Sequence, residues 1–99
     1  MRCINNRAED INIAYIGGGS RGWAWAFMGD LALEESMSGT VMLYDTNFPA
    51  AKDNEIIGNR LSDNPGVRGK WVYKAVKSLK EALTGADFVV ISILPGTLD

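Results

Sequence analysis

The sequence predicts an α/β fold of the Rossmann type, with an incomplete, doubly wound parallel sheet in the order β-α-β-α-β-α-β. Short apolar runs alternate with longer helical patterns along the 99 residues, and this alternation is typical of parallel strands joined by right-handed crossovers. The runs are almost continuously apolar, as expected for strands that are buried on both faces. A glycine-rich turn follows the first run, where such folds bind ligands.

The first strand is predicted over Ile11–Ile16, a short isoleucine-rich run between Asp10 and Gly17. A helix is predicted over Ser20–Glu35, with Ser20 as its N-cap. Its end is marked by three residues that disfavour helix: Ser36, Ser38 and Gly39.

The second strand and second helix are predicted over Thr40–Asp45 and Phe48–Leu61. Pro49 falls in the first helical turn, where its missing N–H is not needed. The apolar stripe predicted for this helix consists of Ile56, Ile57 and Leu61.

The remaining third of the chain adds two strands and a short helix. After a loop rich in turn residues, Trp71–Val76 alternates in a way that predicts a strand with one wetter face. Ser78–Leu83 is predicted as a helix that Ser78 caps and Gly85 ends. Phe88–Leu94 is almost entirely apolar and predicts a fourth buried strand.

The composition argues against several classes of function. Apolar residues make up 46% of the chain, charged residues 22%, and the net charge is −2. This is ordinary for a globular protein and gives no basic surface for nucleic acid or an anionic membrane. Residues 1–10 are expected to form a loose N-terminal extension without the apolar core of a secretory signal. One cysteine, Cys3, is expected to be an incidental free thiol, and a cytoplasmic location is expected.

The glycines at 17, 19 and 22 match the spacing G-x-G-x-x-G between a predicted strand and a predicted helix. Gly17 is expected to allow a tight exit from the strand, and Gly19 to let the backbone approach a pyrophosphate. Gly22 is expected to let the helix pack close to the first strand. Alone the pattern is weak, but its context between strand and helix makes it a dinucleotide-binding motif.

The start of this helix is expected to bind an anion. We expect free N–H groups at Gly19, Ser20, Arg21 and Gly22, whose partial positive charge faces the ligand. The Ser20 hydroxyl and the Arg21 charge would add to this site. A glycine-rich turn with a capping aspartate and no ligand is the simpler alternative.

Asp45 ends the second predicted strand, roughly 20 residues beyond the glycine motif. Its carboxylate can accept both hydroxyls of an adenosine ribose and would repel a 2′-phosphate, so the sequence favours NAD over NADP. Charge-assisted hydrogen bonds contribute roughly 1.5–3 kcal/mol each. Asp45→Ala is therefore expected to weaken NAD binding about tenfold or more and to relax the rejection of NADP.

The first helix is apolar nearly all round, because Asp30 is the one charged residue between Gly22 and Leu33. Core packing is the expected role of Trp23 and Trp25, with a substrate-facing role as the alternative. The sheet cannot cover every large side chain of this helix. We therefore expect the chain to be the front part of a larger protein or to dock tightly against a partner.

Four segments resemble the N-terminal part of glycoside hydrolase family 4: GGGSRGWAW, DLALEESMSGTVMLYD, AAKDNEIIGN and GADFVVISILPGTLD. SILPG is most similar to the branch of alpha-galacturonidases and their alpha-glucosidase and alpha-galactosidase relatives. The phospho-beta-glucosidase branch has a different segment there, which disfavours a 6-phosphosugar substrate. The resemblance covers about Ile11 to Asp99, so we interpret residues 11–99 as part of an NAD-binding domain whose catalytic domain is absent.

The resemblance implies glycoside cleavage without the usual pair of catalytic carboxylates. In this family NAD oxidises the 3-hydroxyl of the sugar, a base removes the C2 proton, the leaving group is eliminated, water adds and the hydride returns. A divalent metal, usually Mn²⁺, polarises the C2 and C3 oxygens. The ligands of this metal in the family, a Cys and a His, lie beyond this segment, and Cys3 does not match that Cys. The 99-residue chain alone is expected to be inactive, and the full-length protein to act on a small glycoside as a homo-oligomer.

The site residues implied by the resemblance all bind the cofactor. Gly17, Gly19, Ser20, Arg21 and Gly22 are placed at the pyrophosphate and Asp45 at the ribose, while the backbone of Ser92, Ile93, Pro95 and Gly96 lies near the rest of the cofactor. Asn54 and Asn59 belong to the family pattern and are expected to be helix-surface amides or local caps. An NAD-dependent 2-hydroxy acid dehydrogenase and a non-catalytic NAD-binding module stay open as alternatives.

Overall fold

The computed structural model describes residues 1–20 and 22–92, and every structural statement below concerns those residues. Strands and helices alternate along the chain after an initial pair of strands. The elements are β1 (Arg2–Ile4), β2 (Arg7–Ile16), α1 (Gly22–Leu33), β3 (Met37–Tyr44), α2 (Phe48–Ser62), β4 (Lys70–Val76), α3 (Leu79–Leu83) and β5 (Phe88–Ile91).

The parallel part of the sheet has the order β5-β2-β3-β4. The chain runs outward from β2 through β3 to β4 and then returns to the other side of β2, where β5 pairs over Ile13–Ile16. This reversal of direction next to the first parallel strand defines a doubly wound sheet. The predicted fold class is confirmed.

Residues 2–4 and 7–10 are part of the sheet, so the prediction of a loose N-terminal tail is wrong. β1 pairs antiparallel with the start of β2. Asn5 and Asn6 connect the two strands with φ angles of 50° and 64°, and asparagine tolerates this left-handed conformation in two-residue hairpin turns. Arg2 adds an ion pair of 2.7 Å from its Nε to Asp10 Oδ2.

The core lies between the sheet and helices α1 and α2. From α1, Ala24, Met28 and Leu31 are buried, and the ring of Phe27 lies 5.2 Å from that of Tyr15. The two early tryptophans of α1 are not core residues, because Trp23 is 66% exposed and Trp25 is 48% exposed. The expectation that both pack in the core is wrong, whereas the expectation that the sheet cannot cover all of α1 is confirmed.

Helix α2 packs on the sheet mainly through small residues, so the predicted apolar stripe is wrong for its two isoleucines, whereas Leu61 is half-buried and packs against the core as predicted. Ala51, Asn54 and Gly58 are its buried residues, while Ile56 and Ile57 are exposed. A Cβ at Gly58 would lie 2.5 Å from the ring of Tyr73. The short residues therefore let the helix backbone approach β4 more closely than a stripe of isoleucines would allow.

The outer edge of β4 is covered by side chains of α2. Asn59 Nδ2 donates to Tyr73 O, and Asn59 Oδ1 accepts from Tyr73 N, both at 2.9 Å. Glu55 Oε2 accepts from Ala75 N at 3.0 Å. Since β4 pairs with β3 alone among the described strands, these side chains occupy backbone groups that an edge strand would otherwise expose. Asn59 is thus an edge clamp, not the surface amide or local cap expected from sequence.

Several local predictions are confirmed at α2 and α3. Ser78 Oγ caps α3 by accepting from Glu81 N at 2.9 Å, Gly85 has a φ of 74° just beyond that helix, and Pro49 is in the first turn of α2.

β5, predicted as buried, is largely exposed. None of the helices in residues 1–20 and 22–92 has the length and apolar content needed to cross a bilayer.

Candidate nucleotide-binding groove

A groove of about 350 Å³ lies where β2, β3 and β5 end. It is located at the reversal point of the sheet, which is where doubly wound folds bind their ligands. The residues that line it are Ile16, Gly17, Gly19, Ser20, Asp45, Thr46, Asn47, Ala50 and Ser92. The structure therefore brings the predicted glycine loop, the predicted acid and the predicted Ser92 to one place.

Gly17 makes the exit from β2 that the sequence predicted. Its φ is 95°, and a Cβ there would collide with the carbonyl oxygen of Ser92 at the end of β5. The N–H groups of Gly17 and Gly18 both donate to Tyr44 O at 2.8 Å. Only glycine combines this left-handed conformation with such a close approach.

Close packing of the loop depends on Gly18, and the role predicted for Gly22 is wrong. A Cβ at Gly18 would lie 2.8 Å from the Cβ of Leu43, so the missing side chain lets the loop rest on β3. A Cβ at Gly22 would meet nothing within 4 Å among the described residues. Gly18 was missed because the G-x-G-x-x-G pattern allows any residue at that position.

The amides of Gly19 and Ser20 are already bonded within the protein, contrary to the expectation that they are free. Gly19 N donates to Asp45 Oδ2 at 2.9 Å, and Ser20 N donates to Gly17 O at 3.0 Å. A Cβ at Gly19 would lie 2.8 Å from Ala50 Cβ and 2.9 Å from Asp45 Oδ2. Because Gly19 has no side chain, the Asp45 carboxylate can approach the backbone of the loop.

The first turn of α1 keeps donors for an anion. Ser20, predicted as the N-cap, lies two residues before the first helical residue, and its Oγ accepts from Ala24 N at 3.2 Å. Within the described part of the chain, no acceptor takes the N–H of Gly22 or Trp23. These two amides begin a twelve-residue helix and carry the partial positive charge of its N-terminus. The predicted Arg21 lies outside the described residues.

Asp45 follows the end of β3 and links the loop to the start of α2. Its Oδ2 accepts from Gly19 N and its Oδ1 accepts from Asn47 N, each at 2.9 Å. An ionised carboxylate offers about four lone-pair sites, so roughly two remain after these bonds. The side chain is half-buried at the groove and can still accept two hydroxyls.

Ser92 closes the other side of the groove. Its N–H donates to Ile16 O at 2.8 Å, which continues the β2–β5 ladder. Its Oγ is buried and has no hydrogen-bond partner among the described residues. Ser92 also lines a second, mostly apolar cavity of about 440 Å³ with Trp23 and Phe27. The predicted Ile93, Pro95 and Gly96 lie outside the described residues.

Asn54 contacts the loop directly, so its expected role as a surface amide or local cap is wrong. It is 2% exposed, and its Nδ2 donates to Gly18 O and Ser20 O, both at 2.7 Å. The sequence signal was an amide in the middle of a helix, on the same face as Ala51 and Gly58. Such a residue is unfavourable inside a helix unless its side chain has partners elsewhere.

The described residues do not fit a manganese site. They contain no group of three or more His, Cys, Asp or Glu side chains that could hold a metal ion, and Cys3 is exposed on β1. No chemical step is therefore assigned to a metal held by these residues.

Comparison with known proteins agrees with this architecture. Residues 12–99 match the family model described as family 4 glycosyl hydrolase. The chain belongs to glycoside hydrolase family 4. It is 66% identical over all 99 residues to an alpha-galacturonidase of Thermoanaerobacterium saccharolyticum. It is 57% identical over 91 residues to an alpha-galacturonidase of Bacillus subtilis.

A solved structure has the same fold in this region. The crystal structure described as the Bacillus subtilis glucosidase lplD matches with a TM-score of 0.80 and 57% identity, over 92% of this chain and 20% of that one. The chain covers 21% of the length of the Thermoanaerobacterium relative and 19% of the Bacillus relative. This family 4 chain thus corresponds to about a fifth of each relative.

Proposed function

We propose that this chain binds NAD in the groove between the glycine loop, Asp45 and Ser92, as the nucleotide-binding part of a family 4 glycoside hydrolase. The proposal is carried by one observation: Gly17, Gly19, Ser20 and the carboxylate of Asp45 line one groove at the reversal point of a doubly wound sheet, and helix α1 begins two residues after Ser20. Its relatives are named alpha-galacturonidases, which supports an alpha-glycoside, and an alpha-galacturonide in particular, as the substrate.

The groove and the start of α1, two residues beyond the groove residue Ser20, have distinct tasks in this proposal. The N–H groups of Gly22 and Trp23 attract the diphosphate, because they carry the positive end of the α1 dipole. Asp45 accepts the ribose hydroxyls with its remaining lone pairs and repels a 2′-phosphate. When bound, NAD supplies the chemistry by taking up a hydride from the sugar and returning it.

Calorimetric titration of the 99-residue protein with NAD and NADP tests the binding. NAD is expected to bind. The affinity for NADP is expected to be lower by about tenfold or more, because its 2′-phosphate would lie beside the negative Asp45 carboxylate. Equal and tight binding of both cofactors would contradict the role of Asp45.

The sharper variant is Asp45→Asn. Asp45→Ala would remove the acceptors of Gly19 N and Asn47 N as well as the charge, so it would disturb the loop. The asparagine keeps the shape and one acceptor, and it is expected to bring the affinities for NAD and NADP together. Asp53→Asn, an exposed acid on α2, is the matched control and should leave the ratio unchanged.

An activity assay separates the glycosidase from the dehydrogenase. A family 4 protein that contains this chain, supplied with NAD, Mn²⁺ and a reducing agent, is expected to release sugar from an aryl alpha-glycoside or an oligogalacturonide. Net accumulation of NADH with a 2-hydroxy acid, without glycoside cleavage, would favour the dehydrogenase. NAD binding without either activity would favour a non-catalytic module.

A further inference from the structure

Asn54 is the buried polar side chain of the described core, and all of its strong hydrogen-bonding groups face the glycine loop or Trp25. Both hydrogens of Nδ2 are used, one on Gly18 O and one on Ser20 O. Its Oδ1 accepts from the indole Nε1 of Trp25 at 2.9 Å. A buried amide that is satisfied in this way holds its partners in one arrangement.

Trp25 fixes the orientation of this amide. An indole N–H can only donate, so Oδ1 of Asn54 must face Trp25 and Nδ2 must face the two carbonyls. The reversed orientation would place an amide oxygen against Gly18 O and Ser20 O and leave the indole without an acceptor. The contact also explains why Trp25 is only half exposed while Trp23, two residues earlier, is more open.

Asn54 and Asp45 hold the two ends of the same peptide group, the one between Gly18 and Gly19. The carbonyl of Gly18 and the N–H of Gly19 belong to the same planar trans peptide and point in opposite directions. Asn54 holds the carbonyl at 2.7 Å, and Asp45 holds the N–H at 2.9 Å. The direction of the Gly19 N–H, and with it the place of the Asp45 carboxylate, therefore depends on Asn54.

We propose that Asn54, oriented by Trp25, is a positioning residue that sets the glycine loop and Asp45 in the geometry that receives the nucleotide. This inference rests on the proposed NAD binding. Asn54 does not line the groove, so it acts on the ligand through the loop. The small neighbours Ala51 and Gly58 bring α2 close enough to the sheet for a short amide to reach the loop.

Three variants test the proposal. Asn54→Asp keeps the size and the acceptor for Trp25 but places an oxygen against two carbonyl oxygens. Trp25→Phe leaves Asn54 in place and removes the donor that orients it, and because Trp25 is 48% exposed we expect the variant to fold. Asn59→Asp is the matched control, because Asn59 is also an α2 amide with two backbone hydrogen bonds, but to Tyr73 on β4.

The first readout is the affinity for NAD, measured by calorimetry beside a urea denaturation curve for each variant. Asn54→Asp is expected to raise the Kd for NAD about tenfold or more, and Trp25→Phe to raise it severalfold. Asn59→Asp is expected to lose stability with its NAD affinity kept within about twofold. If Asn54 contributed to stability alone, folded Asn54→Asp and folded Trp25→Phe would both keep the NAD affinity of the parent.

The second readout is amide hydrogen exchange by NMR without nucleotide. The Gly19 amide is expected to exchange about tenfold faster in Asn54→Asp and to be unchanged in Asn59→Asp. The inference would be overturned if Gly19 exchange stayed unchanged in Asn54→Asp, or if Asn54→Asp and Trp25→Phe bound NAD as tightly as the parent. Either result would leave the proposed function intact. A parent chain that does not bind NAD would overturn the proposed function, and this inference with it.

Discussion

At the scale of single residues, the glycine loop is arranged by contacts within the protein as much as by a ligand. Gly17 has a positive φ, Gly18 rests on Leu43, and Gly19 makes room for Asp45. The sequence pattern located the loop and the acid correctly. It assigned the glycines by analogy, however, and so missed that the close contact with the sheet is made by Gly18 instead of Gly22.

The two glycines give opposite predictions. Gly18→Ala should lower the free energy of unfolding by roughly 1–3 kcal/mol, because the added methyl overlaps Leu43 in a packed region. Gly22→Ala should be neutral or stabilising by up to about 1 kcal/mol, since it adds a better helix former where no described residue would lie within 4 Å of the new methyl. Urea denaturation of both variants measures this, and a larger loss for Gly22→Ala would contradict the assignment.

At the scale of elements, helix α2 connects the sheet to the site. Its buried face is short and partly polar, with Asn54 reaching the glycine loop and Asn59 and Glu55 reaching the edge of β4. The existence, type and approximate ends of both long helices were predictable from caps and breakers. The buried face of α2 was not, because hydrophobic periodicity selects the large residues Ile56 and Ile57, whereas close packing here requires small ones.

The hydrogen bond between Glu55 and the edge of β4 predicts how stability responds to acid. Burial alone would raise the pKa of Glu55, but hydrogen bonds from Lys52 and from Ala75 N–H, together with the charges of Lys52 and Lys74, outweigh it and lower the pKa below 4.5. A lowered folded-state pKa contributes stability above pH 4.5, the ordinary value, and this stability is lost as the pH falls through the folded-state pKa.

Glu55→Gln should therefore reduce stability near neutral pH and lessen the further loss in acid. Urea midpoints at about pH 7 and about pH 3.5 measure the difference. Glu81→Gln, at an exposed position on α3, is the control. A drop in midpoint between the two pH values that is the same in the parent and in Glu55→Gln would contradict this account.

At the scale of the whole molecule, the two sides of the sheet differ. The outer edge of β4 is clamped by α2, whereas β5 pairs with β2 alone among the described strands and has large exposed side chains. The sequence predicted β5 as buried because its composition is that of an interior strand. The apolar composition of a strand reflects the surfaces that cover it in its native surroundings. The described residues do not provide such a covering surface for β5.

This difference predicts concentration-dependent association through β5. Val89→Lys places a charge on this strand, where the valine is 49% exposed, and should reduce association without lowering stability. Val72→Lys, at a 59% exposed position on the clamped strand β4, is the matched control and should leave association unchanged. Sedimentation velocity over a concentration series measures both, and equal association of Val89→Lys and the parent would contradict the prediction.

The most direct test of NAD binding in the groove is a crystal structure of the protein with NAD. We expect the diphosphate at the start of α1, against the amides of Gly22 and Trp23, with the adenosine ribose on Asp45 and the Asn54 bonds to the loop retained. A nucleotide bound elsewhere, or a groove in which those two amides are bonded to protein acceptors while NAD is present, would contradict it.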